Sequence, residues 1–198
     1  MTGYFDSLYA GSDDPWQVRS RWYERRKQAL LLACLPRERF RHACEPACGT
    51  GALTAALAQR CDRVSASDCC GAAVAVARRS TAGLAQVEVE RRDLPQDWPQ
   101  AAGGFDLVVL GEFGYYLAAD AWRDLLRRCA ASLAGDAVVV ACHWRHGFAQ
   151  RLQSTEALHE AIDALPGLER LGRHAEHDFL IDIWSRGGGS VAAWEGLR

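Results

Sequence analysis

The chain has almost no lysine: of its 23 basic residues, only Lys27 is not arginine. With so much alanine beside it, this bias resembles GC-rich coding more than an arginine surface selected for anionic ligands. Charge of one sign is also missing. The 25 acidic residues leave a formal net charge of −2, and no long block of either sign is present to follow a phosphate backbone or an anionic bilayer. Nucleic acid and membranes are therefore poor partners. The chain has no uninterrupted apolar run of about 18 residues, and Met1-Thr2-Gly3-Tyr4-Phe5-Asp6 carries neither the basic stretch nor the apolar run of a secretory signal. A cytoplasmic location is expected. The eight cysteines form no C-x-x-C pair and no cysteine–histidine spacing of a zinc site, and the adjacent Cys69 and Cys70 cannot easily chelate one ion together. Reduced, mostly buried thiols and no metal are expected. Repeats, low-complexity tracts and Pro/Ser-rich linkers are absent too, so 198 residues with 49% hydrophobic content predict a single domain, 1–198.

What is present is an alternation of short apolar runs with helical patterns, which implies βαβ units and a mostly parallel sheet. Asp14-Pro15-Trp16-Gln17 reads as a capped helix start, and the helix is expected to run through Trp22 and Leu30 to about Cys34, where Pro36 stops it. Residues 1–36 thus form an N-terminal helical segment ahead of a core over 37–198. In that core, strands are expected at Phe40–Cys44, Arg63–Ser67, Gln86–Arg91, Phe105–Leu110 and Ala137–Cys142. Helices are expected at Ala52–Gln59, Ala72–Arg79, Asp120–Leu133 and Thr155–Leu165. The apolar run Phe105–Leu110 suits a central strand covered on both faces. Two last strands, Leu168–Arg173 and Asp178–Trp184, are too close in sequence for a crossover helix and should pair antiparallel. The total is a seven-stranded α/β sheet of Rossmann-like type ending in an antiparallel hairpin.

The first strand leads into Glu45-Pro46-Ala47-Cys48-Gly49-Thr50-Gly51, and a helix follows. Glycine lets the backbone turn sharply and approach a ligand, while the helix start presents amide donors to a carboxylate or phosphate. Asp68 ends the next strand, seventeen positions beyond Gly51, where an acid can accept from both hydroxyls of a ribose. A nicotinamide enzyme is the competing reading, because Gly49-Thr50-Gly51 can open G-x-G-x-x-G; the third glycine position, however, holds Thr54. A turn that merely joins strand to helix would explain Gly49 but not the timing of Asp68 and Asp93.

These blocks resemble class I S-adenosylmethionine-dependent methyltransferases. Glu45 to Gly51 looks like the family's first motif, Asp68 its ribose-binding acid, Asp93-Leu94 its adenine-side motif, and Phe105 to Leu110 followed by Gly111-Glu112 its fourth. Ala47 departs from the pattern, standing where the family commonly has its first glycine. Further blocks, Tyr4 to Tyr9, Asp14 to Trp16, Trp22 to Lys27, Gly111 to Leu117 and Cys142 to Arg145, are similar to the NodS-like methyltransferases. The resemblance implies S-adenosylmethionine as cofactor, held by Glu45, Ala47, Gly49, Gly51, Asp68, Cys69, Asp93, Leu94 and Gly111. It also implies that Tyr9 and Trp22 of the N-terminal segment help to cover it. The apolar stripe of Trp16, Trp22, Tyr23 and Leu30 leaves plain packing as the other reading of that segment.

Glu112, Tyr115, Tyr116, His143, Trp144 and Arg145 follow the expected C-terminal ends of central strands, where open α/β sheets place ligands. The NodS-like resemblance implies N-methylation of an amine on a small hydrophilic acceptor, such as an amino sugar or a deacetylated chitooligosaccharide. His143 is then expected as general base and Glu112 as orienter, with Tyr115, Tyr116, Trp144 and Arg145 on the acceptor. An O-methyltransferase of a small molecule and a noncatalytic S-adenosylmethionine-binding module remain open alternatives.

Overall fold

A computed structural model describes residues 2–198. Two helices, α1 (Thr2–Gly11) and α2 (Trp22–Cys34), precede β1 (Phe40–Pro46), α3 (Ala52–Leu57), β2 (Cys61–Asp68), α4 (Gly71–Ser80) and β3 (Val87–Arg91). Then come β4 (Phe105–Gly111), a 3-10 turn (Gly114–Tyr116), α5 (Ala119–Ser132), β5 (Leu133–Trp144), α6 (Thr155–Asp163), β6 (Leu168–Ala175), β7 (Phe179–Arg186) and a short α7 (Val191–Trp194). The seven strands lie in the order β3-β2-β1-β4-β5-β7-β6. The first five are parallel, and β7 inserts antiparallel between β5 and β6. No helix of the described residues is long and apolar enough to cross a membrane.

Strand β4 is buried along its length because helices cover both faces of the sheet. Leu107 and Val109 pack with Leu31 of α2 and with Val138 and Val140. Phe105, Val108 and Leu110 pack with Trp122, Leu125 and Leu126 of α5. An irregularity in the β4–β5 register between Phe105 and Leu107 accounts for Phe105 joining the second group. Asp106 is buried yet satisfied, for its carboxylate accepts from the Arg41 and His42 amides at 2.8 and 2.7 Å and fastens the start of β1 to β4.

The N-terminal segment differs from its expected single helix. Asp14 caps no helix at Pro15; its carboxylate accepts instead from the Val18 and Arg19 amides, at 2.8 and 3.1 Å. Gln17 adopts φ +57, which interrupts any helical run from Pro15, and α2 begins only at Trp22. The stripe expected there also divides: Trp22 is 69% exposed and Trp16 38% exposed, whereas Tyr23 and Leu30 pack on the core. Helix α1 was not foreseen. It lays Tyr9, which is buried, over the turn that follows β1.

Candidate active site

Strand order reverses between β1 and β4, so the turns that leave those two strands stand side by side at the C-terminal edge of the sheet. The first of them is tied down by its own backbone. Cys48 N–H donates to Ser67 O at 2.9 Å, and Gly49 N–H donates to Asp68 Oδ2 at 3.0 Å. Asp68 Oδ1 accepts from Cys70 N–H at 2.9 Å, so this carboxylate joins the ends of β1 and β2 while retaining lone pairs for another donor. Burial raises its pKa, and the amides that it accepts from oppose that rise.

Three residues of the turn are left-handed: Ala47 at φ +55, Gly49 at φ +54 and Gly51 at φ +75. The glycines adopt this freely, and Gly51 also lies so close to α4 that no side chain fits. Ala47 carries a Cβ in the same conformation, a strain of about 1–2 kcal/mol. Around this turn stand four of the six buried side-chain polar atoms that have no partner among the described residues: Glu45 Oε2, Thr50 Oγ1, Thr54 Oγ1 and the Tyr9 hydroxyl. Burial pushes the Glu45 carboxyl up to about 8. Such a set suits a ligand rich in charged and hydroxyl groups, and the ammonium, carboxylate and ribose of S-adenosylmethionine are groups of that kind.

Along the same edge, Cys69 is half-buried after β2 and Asp93 is exposed beyond β3. Leu94 packs on the core beside Asp93, and Gly111 ends β4 with open space where a side chain would stand. Trp22 forms no ring pair among the described residues; Tyr9 is the aromatic that reaches the glycine turn.

The second turn carries Glu112, itself left-handed at φ +58. Holding a glutamate there costs about 1–3 kcal/mol and requires neighbours that fix it. They are present. Glu112 Oε2 accepts from the Tyr115 hydroxyl at 2.6 Å and from Trp144 N–H at 2.9 Å, while Oε1 lies 2.5 Å from Lys27 Nζ of α2. Lys27 also meets Glu24 at 3.0 Å. Burial alone would lower the Lys27 pKa, but the carboxylates of Glu112 and Glu24 outweigh it and keep the ammonium charged. In the sequence Lys27 stands out by composition and as the end of the Trp22–Lys27 block, with no site role attached to it. Its place in this ion pair had one visible signal, that it is the single lysine of the chain.

The aromatic residues are less open than expected. Tyr115 is buried against Tyr116, Phe148 and the His143 ring, and its hydroxyl is committed to Glu112. Tyr116 is enclosed by Phe5 of α1 and by Phe148. Trp144 meets Tyr23 edge-on at 5.9 Å and keeps part of its surface exposed. Arg145 turns to Glu156, with Nε and Nη2 at 3.1 and 3.0 Å from one carboxylate oxygen.

His143 corrects the expectation of a general base. The residue is fully buried; its Nε2 accepts from Gly114 N–H at 3.3 Å, and its Nδ1 lies 3.0 Å from His159 Nε2. His159 Nδ1 in turn is 2.8 Å from Asp182, which Arg173 grips from outside. An accepting Nε2 makes Nδ1 the protonated nitrogen of His143, so this ring is neutral and donates toward His159. Burial first, then His159, Arg151 and Lys27, holds the His143 pKa well below the ordinary range. No nitrogen of His143 is free to take a proton from an acceptor.

Residues 43–136 match the family model of a methyltransferase domain. The chain is 43% identical to a Pseudomonas syringae protein classed provisionally as a methyltransferase; the two structures superpose with a TM-score of 0.74 over 84% of this chain and 100% of that one. It is similar to Nodulation protein S of Rhizobium tropici, 33% identical over 107 residues, which are 54% of this chain and span only 44% of that protein. With Nodulation protein S of Bradyrhizobium diazoefficiens it shares 27% identity over 196 residues, 91% of this chain and 90% of that protein. The fold also matches the N-methyltransferase NodS of Bradyrhizobium japonicum WM9 in complex with S-adenosyl-L-homocysteine, at a TM-score of 0.83, 22% identity, and coverage of 94% and 98%. The chain belongs to the methyltransferases, with the class I Rossmann-like fold, and it is similar in sequence and fold to the NodS proteins.

Proposed function

We propose that this methyltransferase acts on an amine nitrogen of a small hydrophilic acceptor, an amino sugar before other amines. The observation that carries this reading is Glu112: its carboxylate is pinned at the C-terminal end of β4, beside the glycine turn, and its side chain remains 32% exposed. A carboxylate so placed accepts a hydrogen bond from an amine N–H and aims the nitrogen lone pair. NodS of Bradyrhizobium japonicum, whose fold matches, is named an N-methyltransferase.

In this reading Glu45, Gly49, Gly51, Asp68, Asp93 and Gly111 hold the cofactor, with Ala47, Cys69 and Leu94 lining its path. The segment 1–36 covers it, through Tyr9 rather than Trp22. When bound, the cofactor supplies an electrophilic methyl on a sulfonium. The chain's task is alignment and exclusion of water. The acceptor nitrogen uses its lone pair to form the N–C bond as the C–S bond breaks, its electrons remaining on sulfur. The new cation on nitrogen then loses a proton toward Glu112 and solvent. His143 stands behind the site and holds the Gly114–Tyr116 turn; Trp144 offers the acceptor its partly exposed face.

The test is incubation with methyl-labelled cofactor and a panel of glucosamine, a chitosan oligosaccharide, their N-acetylated counterparts and small alcohols. Label should enter the free amines and not the acetylated sugars. Label in alcohols alone would overturn the amine reading, and binding of cofactor without transfer to any acceptor would return the module reading.

A further inference from the structure

Every basic residue of this chain is arginine except the one that lies against Glu112. Lys27 is 8% exposed, and its Nζ sits between Glu112 Oε1 at 2.5 Å and Glu24 Oε2 at 3.0 Å. An arginine presents a broad planar fork, whereas an ammonium is a compact point charge. In a chain that otherwise writes its cations as arginine, a lysine kept at a buried position beside a strained glutamate marks a geometric demand. The ammonium meets a single carboxylate oxygen, and the Glu112 side chain remains 32% exposed.

We propose that Lys27 is a positioning residue of the acceptor site, whose fixed ammonium keeps an amine acceptor in its free-base form next to Glu112. This rests on the amine reading given above. An unneutralised carboxylate within reach of an amine stabilises the ammonium, which has no lone pair and cannot attack the methyl. Two carboxylates, Glu112 and Glu24, converge here; the Lys27 charge cancels one of them. Tyr115 O–H and Trp144 N–H spread what remains on Glu112. The other groups facing the pair are Tyr23, its ring 5.2 Å from Nζ, and Cys142 of β5. Neither thiol nor phenol brings a charge near neutral pH. Oε1 keeps a lone pair for the acceptor N–H, so Glu112 orients the nitrogen without holding its proton.

The test is the pH profile of kcat, measured with labelled cofactor and glucosamine on the wild type, Lys27→Met and Lys27→Arg. The acidic limb of the wild type should lie at or below the amine's own solution pKa. In Lys27→Met that limb should move up by about one pH unit or more, a roughly tenfold loss of turnover below it, with recovery at high pH. Lys27→Arg should keep the limb in place and lower kcat at every pH. Cofactor affinity by calorimetry should change little in either variant. A Lys27→Met profile that falls equally at all pH values overturns the proposal and makes Lys27 a packing residue only. If that variant fails to fold, a wild-type limb well above the solution pKa of glucosamine overturns it by itself. Methylation of hydroxyl acceptors alone would defeat the amine reading and this inference together; methylation of glucosamine with an unmoved limb would defeat only this inference.

Discussion

Gly51 and Ala77 approach so closely that a Cβ on Gly51 would stand 2.9 Å from the Ala77 Cα, a backbone atom that cannot swing aside. The glycine turn and helix α4 therefore pack backbone against backbone. With φ +75 added to the clash, Gly51→Ala should cost about 1–3 kcal/mol, read as a lower urea midpoint, and should also weaken cofactor binding. Ala47→Gly is the opposite case. It releases left-handed strain but loosens the unfolded chain, for a net gain of about 0.5–1 kcal/mol by the same measurement.

Glu45 links the cofactor to pH. Its carboxyl, with a pKa raised by burial from 4.5 to about 8, is largely protonated at neutral pH in the free protein. Because the folded state binds this proton more tightly than the unfolded one, its contribution to stability is present below 4.5 and is lost as pH rises toward 8. A cofactor ammonium beside it would favour the carboxylate. Calorimetric titration with S-adenosylmethionine at pH 7 in buffers of different ionisation enthalpy should show proton release, and Glu45→Gln should abolish that buffer dependence.

Asp68 holds two amides and, in the proposed site, two ribose hydroxyls. Asp68→Ala should reduce cofactor affinity by about ten- to a hundredfold and lower the thermal midpoint as well, because Gly49 N–H and Cys70 N–H lose their partner. Adenosine alone, which lacks the methionine portion, should lose affinity by a similar factor; an undiminished adenosine affinity would move Asp68 away from the ribose.

His143→Ala should act on stability far more than on chemistry. A buried ring is removed and His159 Nε2 loses its partner, so a loss of about 2–4 kcal/mol is expected. Turnover per folded molecule should fall less than the 10²–10⁴-fold typical of losing a general base. The lowered pKa of His143 also carries a pH signature. The unfolded chain takes up this proton more readily, so stability should decline as pH drops below about 6.5 and should be unaffected by this group above that value. Asp182, held at about 2 against its burial by Arg173 and His159, adds a second loss as pH falls from 3.8 toward 2.

The strands and most helices of the core were readable because each apolar run is bounded by glycine, proline or an acid at a strand end. Asp68 and Gly51 were readable for the same reason. His143 was not, because its environment depends on residues far along the chain: His159 lies on α6, and Asp182 reaches it only because β7 inserts next to β5, with Ala141 opposite Asp182. The mixed polar pattern of helix α1 gives little periodicity to detect. Lys27 was visible as a residue but not as a site residue, since its partner Glu112 is 85 positions away.

The place of β7 inside the sheet also sets an order of assembly. During synthesis β1 to β5 can pair as they emerge, so the edge that carries the glycine turn and Glu112 is buildable from the first 144 residues. Strand β6, however, pairs only with β7, and β5 keeps its outer edge unpaired until residue 186 has been made. For that interval a nascent chain displays an apolar strand edge of the kind that recruits other chains. A ribosome stalled between β6 and β7 would hold a nearly finished cofactor cleft on a body prone to aggregate.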